Sequence, residues 1–196
     1  MQTIDEITQY LKRNLSKERF NHTIGVAETA QSLATMWGED SSLAFLAGLV
    51  HDCAKEVPVQ DAVMKLSASG YVLDEVEKSS PALIHAPLGV LLAKEIFGIN
   101  DQIVLDAIRY HTTGRTNMSL LEKIIYVADF IEPNRRYRES KIIRDLAFTD
   151  LDKAVLAEAD MVIKFTIDKG RLIHPDTVIA RNYYLKLTKE GKRNET

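Results

Sequence analysis

The 196-residue chain contains a single cysteine, Cys53. No disulfide can close within it, and a four-cysteine zinc site is excluded. Long apolar runs are also missing. The longest spans eight residues, Leu43 to Val50, against the roughly 20 that a helical membrane span needs. The opening segment "MQTIDEITQYLKRNLSK" has neither an apolar h-region nor a cleavage signal. The expectation is a soluble cytoplasmic protein without a membrane partner. Neither sign of charge dominates: 25 Lys and Arg stand against 28 Asp and Glu, for a formal net charge of −3. Without an overall basic field, no nucleic-acid partner is expected, although a local cationic pocket for a small anion remains compatible with the total. Sustained period-2 alternation, internal repeats and low-complexity tracts are absent too.

What is present is helical periodicity from end to end. Ile4, Ile7, Tyr10, Leu11 and Leu15 recur at 3-4 spacing, so residues 3–14 read as an amphipathic helix. A second helix is predicted over 17–37 with Gly38 as its stop. A third begins at a cap on Asp40 or Ser41 and runs towards Pro58. A short helix follows over 59–67, closed by Gly70, and 71–81 reads as loop with one short helical turn. Further helices are predicted at about 82–97, 101–111, 119–132, 139–147, 150–169 and 175–189, punctuated by Gly98, Gly114, Pro133-Asn134, Gly170 and Pro175. "KEGKRNET" reads as a frayed tail. The fold class is all-α, a helical bundle forming one domain over 1–196, with a core at about 17–132 and helices 139–189 packed on it.

The third helix carries its apolar run straight into His51 and Asp52, with Lys55 four residues after the histidine. Alone, such a pair reads as a surface hydrogen-bonding couple. His22, His85, His111 and Asp129, however, also lie in apolar helical segments, and each buried polar group needs a partner. One shared metal site accounts for all of them, since coordination offsets the desolvation of neutral His and ionised Asp. Imidazole, carboxylate and ammonium together suit a divalent cation beside a phosphate, with Lys55 taking the phosphate charge.

The order His22, His51-Asp52, Asp129 resembles the H…HD…D signature of the HD-domain phosphohydrolases. The segments "RFNHTIGVAETA", "LAGLVHDCAKE", "LIHAPLGVLLA", "AIRYHTTGRTNMSLLEKIIYVADFIEPNRR" and "GRLIHPDTVIARN" are similar to the YqeK-type symmetrical dinucleoside tetraphosphate hydrolases, over about residues 17–184. The resemblance implies an HD-type bundle with a metal site at its centre and His22, His51, Asp52 and Asp129 as metal ligands. It favours iron, while the same donors suit manganese, cobalt or zinc, as one ion or two. The implied reaction splits diadenosine tetraphosphate into two ADP by in-line attack of a hydroxide generated on the metal. His85 and His111 would hold a second metal or phosphate oxygens. Asp52, Lys55, His85 and His111 are the expected catalytic groups. His22, Asp52, Lys55, His85, His111, Thr112, Asp129 and Arg135 are expected around the phosphates, and Gly170, Arg171, His174 and Pro175 around the nucleoside. Arg136 and Arg19 can also reach the pocket, and Glu132 can orient a ligand. Cys53, Trp37 and Phe45 read as packing residues. Alternatives are another HD activity, on a nucleoside mono-, di- or triphosphate or a guanosine alarmone, and a nucleotide-sensing protein without turnover. A homodimer is compatible with the apolar helix faces.

Overall fold

The computed structural model of the chain describes residues 1–135 and 137–191. Eleven helices occur in order among the described residues: α1 Ile4–Asn14, α2 Lys17–Trp37, α3 Ser41–Val50, α4 Val59–Ala68, α5 Glu75–Ser79, α6 Pro81–Glu95, α7 Gln102–Tyr110, α8 Leu120–Ile131, α9 Arg138–Ala147, α10 Leu151–Asp168 and α11 Pro175–Gly191. No strand is found among the described residues. The tail expected from Lys189 continues α11 as far as Gly191, and 192–196 lie outside the described residues.

Local chemistry sets these boundaries. Thr3 and Glu6 form a capping box at α1, Asp74 and Glu77 at α5, and Ser119 and Glu122 at α8. Asp40 accepts hydrogen bonds from the Ser42 and Leu43 amides and so starts α3. Gly38 ends α2 at φ 76°, a left-handed conformation that glycine adopts without a Cβ clash.

The third helix departs from expectation. It ends at Val50 rather than running towards Pro58. The Gly48 carbonyl, which a continuing α-helix would offer to the amide of residue 52, instead accepts from His51 Nδ1 at 2.7 Å. The chain then tightens into turns, in which the Cys53, Lys55 and Val57 amides donate to the Val50, Asp52 and Ala54 carbonyls. His51 and Asp52 therefore sit on a turn at the inner end of α3.

The centre of the packing is α8, which contacts α2, α3, α7, α9 and α10. Its Ile124, Ile125, Val127, Ala128 and Ile131 are fully buried. Helices α2 and α3 pack closely because Gly48 admits the backbone of Ala27: a Cβ at residue 48 would lie 2.8 Å from the Ala27 Cα. Trp37 and Phe45 pack against the core, and Trp37 Nε1 donates to the Ala147 carbonyl at 2.8 Å. Arg144 of α9 donates to the Ile131 and Glu132 carbonyls, satisfying the open C-terminal end of α8. This arrangement directs α2, the turn after α3, and α8 towards one point. No described helix is long and apolar enough to cross a membrane.

Candidate metal centre

Four histidines from four elements meet at that point, and three are anchored in the same way. His51, His85 and His111 each place Nδ1 on the carbonyl three residues back, Gly48 at 2.7 Å, Ala82 at 2.6 Å and Ile108 at 2.7 Å. A carbonyl oxygen only accepts, so each Nδ1 carries the hydrogen and each Nε2 is left a bare lone pair. His22 is held from another element: its Nδ1 donates to Glu132 Oε1 at 3.1 Å. Its Nε2 is likewise free to act as a donor atom.

These Nε2 atoms face carboxylates. His22 Nε2 lies 3.0 Å from Asp129 Oδ1, and His51 Nε2 lies 3.9 Å from the same oxygen. Asp52 turns its two oxygens in different directions. Oδ2 stands 3.7 Å from His51 Nε2 and 3.8 Å from His22 Nε2, whereas Oδ1 stands 3.0 Å from His85 Nε2 and 3.5 Å from His111 Nε2. The result is a cage of acceptors short of donors. His22 Nε2, His51 Nε2 and Asp52 Oδ1 are buried without a hydrogen-bond partner, even though acceptor atoms lie within 4 Å. Facing lone pairs repel unless a cation lies between them, so the donor set fits a divalent metal bound by imidazole nitrogen and carboxylate oxygen. Two such triads share His51: His22, His51 and Asp129, and His51, Asp52 and His111, with ligand atoms in each within 4.8 Å of one another.

The electrostatics agree with the geometry. Burial pushes His51 and His85 down to about 4, so both imidazoles are neutral at pH 7. Burial would raise Asp52 and Asp129, but the surrounding imidazoles outweigh it and hold both carboxyls well below the usual range. Burial would also lower His22, yet the Asp129 and Glu132 carboxylates on either side of its ring raise it. The cage draws in positive charge, as a proton or as a metal.

Cations line the approach. Arg19 Nη1 donates to Asp52 Oδ2 at 2.8 Å, and Arg135 Nη2 lies 3.4 Å from Asp129 Oδ1. Both line a cavity of about 290 Å³ that includes His22, Asn134 and Tyr137. Asp129 is 24% exposed, whereas Asp52 is 1% exposed, so the centre opens at its Asp129 side. A smaller cavity of about 90 Å³ lies across the site, with Lys55 and His85 in its wall. Lys55 lies in the turns that follow α3 rather than on a continuing α-helix. Its Nζ lies 3.5 Å from Asp52 Oδ1 and 3.1 Å from His85 Nε2.

The remaining expected residues are distributed as follows. Thr112 follows His111, and its buried hydroxyl lacks a hydrogen-bond partner. The Gly114 amide donates to the Tyr110 carbonyl at 2.8 Å and so is not free to meet an anion. The Gly170 and Arg171 amides are engaged with the Ile167 and Thr166 carbonyls at the end of α10. His174 is occupied at both ring nitrogens: Nε2 lies 2.7 Å from Asp74 Oδ2, and Nδ1 accepts from the Asp176 amide at 3.2 Å. Pro175 opens α11. Arg136 lies outside the described residues. Cys53 is buried with its Sγ 3.7 Å from the Gly89 carbonyl, and burial pushes its thiol up to about 12, consistent with packing alone. Arg144, part of the basic cluster after Asp129, is used on the α8 carbonyls.

The sequence did not mark Gly25 or the aromatic pair Phe130 and Tyr137. A Cβ at Gly25 would lie 2.7 Å from Glu132 Oε2, so the glycine is what lets Glu132 reach His22. The approach of two distant segments leaves no local sequence signal.

Comparison with known proteins places this geometry among relatives. The HD domain family matches residues 19–134, a span that contains all four histidines of the cage and both its aspartates. A symmetrical bis(5'-nucleosyl)-tetraphosphatase of Bacillus subtilis is 39% identical over 182 residues, covering 91% of this chain and 96% of the relative. The enzyme of the same name from Halalkalibacterium halodurans is 42% identical over 177 residues, covering 90% of this chain and 94% of its own length. A crystal structure of a predicted HD superfamily hydrolase involved in NAD metabolism, from Clostridium acetobutylicum, superposes with a TM-score of 0.92 at 47% identity, over 95% of this chain and 98% of that one.

Proposed function

The chain belongs to the HD domain family, and from that premise we propose that it is a metal-dependent hydrolase that cuts diadenosine tetraphosphate symmetrically into two ADP. The observation that carries this reading is the cage itself: four imidazoles with Nδ1–H tied back, the Nε2 atoms of His22 and His51 without a partner, closed by the buried Asp52 and the partly exposed Asp129. His22, His51, Asp52 and Asp129 would hold the ion. Iron is the proposed occupant; manganese, cobalt and zinc accept the same donors. When bound, the metal supplies Lewis-acid activation of a water and of a phosphoryl oxygen.

The chain's own residues would do the rest. Glu132 fixes the tautomer of His22 and so the direction of its Nε2. Arg19 holds Asp52 from outside. Lys55 and Arg135, 29% and 32% exposed, flank the centre on opposite sides and are free to take charge on non-bridging phosphate oxygens, where a loose transition state concentrates it. The Thr112 hydroxyl has an unused donor for the same purpose. His85 Nε2 and His111 Nε2 lie 2.9 Å apart with Lys55 Nζ beside them. Its ammonium makes that corner hostile to a second cation, so we assign this pair to the phosphate side of the site, where His85 Nε2 accepts from Lys55 Nζ and directs the ammonium towards a phosphate oxygen. Given the occupied amides and ring of 170–175, the exposed Arg171 side chain is the group there still free to meet a nucleotide.

The test joins metal analysis of the purified protein to product identification. One metal per chain and ADP as sole nucleotide product are expected. AMP and ATP in equal amounts would mean asymmetric cleavage and end the assignment. Asp52→Ala should lose both metal and turnover, and full activity in that variant would refute the ligand set.

A further inference from the structure

A third cavity, of about 570 Å³, opens between the C-terminal end of α8, the start of α9 and one face of α10. Its walls are apolar: Phe130, Tyr137 and Phe165 supply aromatic rings, and Met161 and Val162 the aliphatic floor. Its charged groups, Glu139, Lys164 and Asp168, are few. Apolar walls with a few polar groups are the usual anatomy of a small-molecule pocket.

Three features tie this cavity to the metal centre. Phe130 directly follows Asp129 in α8. Tyr137 lines both this cavity and the 290 Å³ mouth of the centre. Arg135 bridges them, with Nη1 donating to Tyr137 Oη at 2.9 Å and Nη2 lying 3.4 Å from Asp129 Oδ1. The aromatic rings are also left available. Phe165 and Tyr137 are 54% and 50% exposed, and the Phe130 and Tyr137 rings meet tilted at 59° with centroids 6.4 Å apart rather than stacked on each other.

We propose that this cavity seats the nucleobase and ribose at one end of the substrate, with the polyphosphate crossing Arg135 to reach the centre. The proposal rests on the hydrolase reading above and names the group that its phosphate path must carry. A flat heteroaromatic base stacks on exposed aromatic side chains whatever its edge pattern, so purines in general are accepted. Glu139 and Asp168 only accept hydrogen bonds, which suits ribose hydroxyls and exocyclic amines.

Calorimetric titration of the metal-loaded protein with ADP, and separately with inorganic pyrophosphate, tests this. Val162→Trp fills the cavity and Phe165→Ala removes a wall, and metal content checks that each variant is folded. Each should weaken ADP about tenfold, the order expected for losing one stacking contact, and leave pyrophosphate affinity as in the unaltered protein. Unaltered ADP affinity in both variants overturns the proposal. Equal weakening of ADP and pyrophosphate also overturns it, because the damage would then lie at the phosphates. Conversion of a dimer to a monomer on light scattering with ADP affinity intact would make the cavity a subunit contact, again overturning it. The readout is binding, so the two readings fail separately: a chain that bound ADP as described but left diadenosine tetraphosphate uncut would sink hydrolysis and uphold the pocket.

Discussion

Glu132 holds the Nδ1 of His22, and Gly25 makes room for it. Glu132 is 1% exposed, with Oε1 on His22 and Oε2 on the Asn134 amide at 2.7 Å, so it has no slack. A methyl at residue 25 would overlap Oε2 and push the carboxylate off the ring. Gly25→Ala should therefore keep the fold, since alanine favours helix, while metal affinity drops about 10–100-fold, the range typical when an outer-shell partner is lost. Metal titration beside a circular-dichroism spectrum checks it, and unchanged affinity would mean that Glu132 has no such role. A second residue-scale expectation concerns Glu158 on α10, 4% exposed with Oε2 lacking a partner. Burial raises its pKa well above the ordinary value, so the folded state favours the protonated acid. A raised acid contributes its stability below the unfolded pKa and loses it as pH climbs through the folded one. Glu158→Leu should then stabilise the protein by about 1–3 kcal/mol near pH 8 and by less near pH 4, as read from urea midpoints at the two pH values. Equal gains at both would show that the carboxyl does not titrate on unfolding.

Helix α2 and the turn that closes α3 carry the proposed ligands of one side of the cage, and the separation of α2 and α3 is set by Gly48. A Cβ there would meet Ala27 Cα at 2.8 Å and Ala27 N at 3.0 Å. Both are backbone atoms, which cannot swing aside as a side chain can. Gly48→Ala gains about 1 kcal/mol in helix propensity, yet overpacking at this contact should cost about 3 kcal/mol, for a net loss near 2. A urea midpoint no lower than that of the unaltered protein would contradict this. The element scale is also where the sequence was most and least legible. Helix starts at Thr3, Ser16, Asp40, Ser119 and Asp150 are written in local capping chemistry, and the structure begins helices after each. The end of α3 was not legible, because a side chain-to-backbone bond at His51 closes it before the proline does. His174 on Asp74, Arg144 on the α8 carbonyls and Glu132 on His22 beside Gly25 join segments up to 110 residues apart. Periodicity and spacing carry no signal for such contacts. The aromatic pocket was missed for a related reason: Met161, Val162 and Phe165 have the spacing of a core-facing stripe, and only packing reveals that part of that stripe stays open.

At the scale of the molecule, the cage gathers its proposed ligands from α2, the turn after α3, and α8, with His85 and His111 adding α6 and the end of α7. A cation at its centre would join parts of the chain more than 100 residues apart, from His22 to Asp129. The unfolded chain has no such constellation, so binding belongs to the folded state and must raise its stability by mass action. At free metal 1,000-fold above Kd the gain is about 4 kcal/mol, and for a chain of this length each kcal/mol moves Tm by roughly 2–4 °C. Loading the protein after chelator treatment should thus raise Tm by on the order of 10 °C, scaling with the logarithm of metal concentration. Asp52→Ala should abolish that dependence. This variant also removes a buried carboxylate that Arg19 and the surrounding imidazoles hold ionised in the metal-free fold, so its metal-free Tm should fall as well. Scanning calorimetry across a metal series separates the two effects: slope reports binding and intercept reports the intrinsic fold. A Tm insensitive to iron, manganese, cobalt and zinc in the unaltered protein would mean that the convergent nitrogens and carboxylates hold no ion.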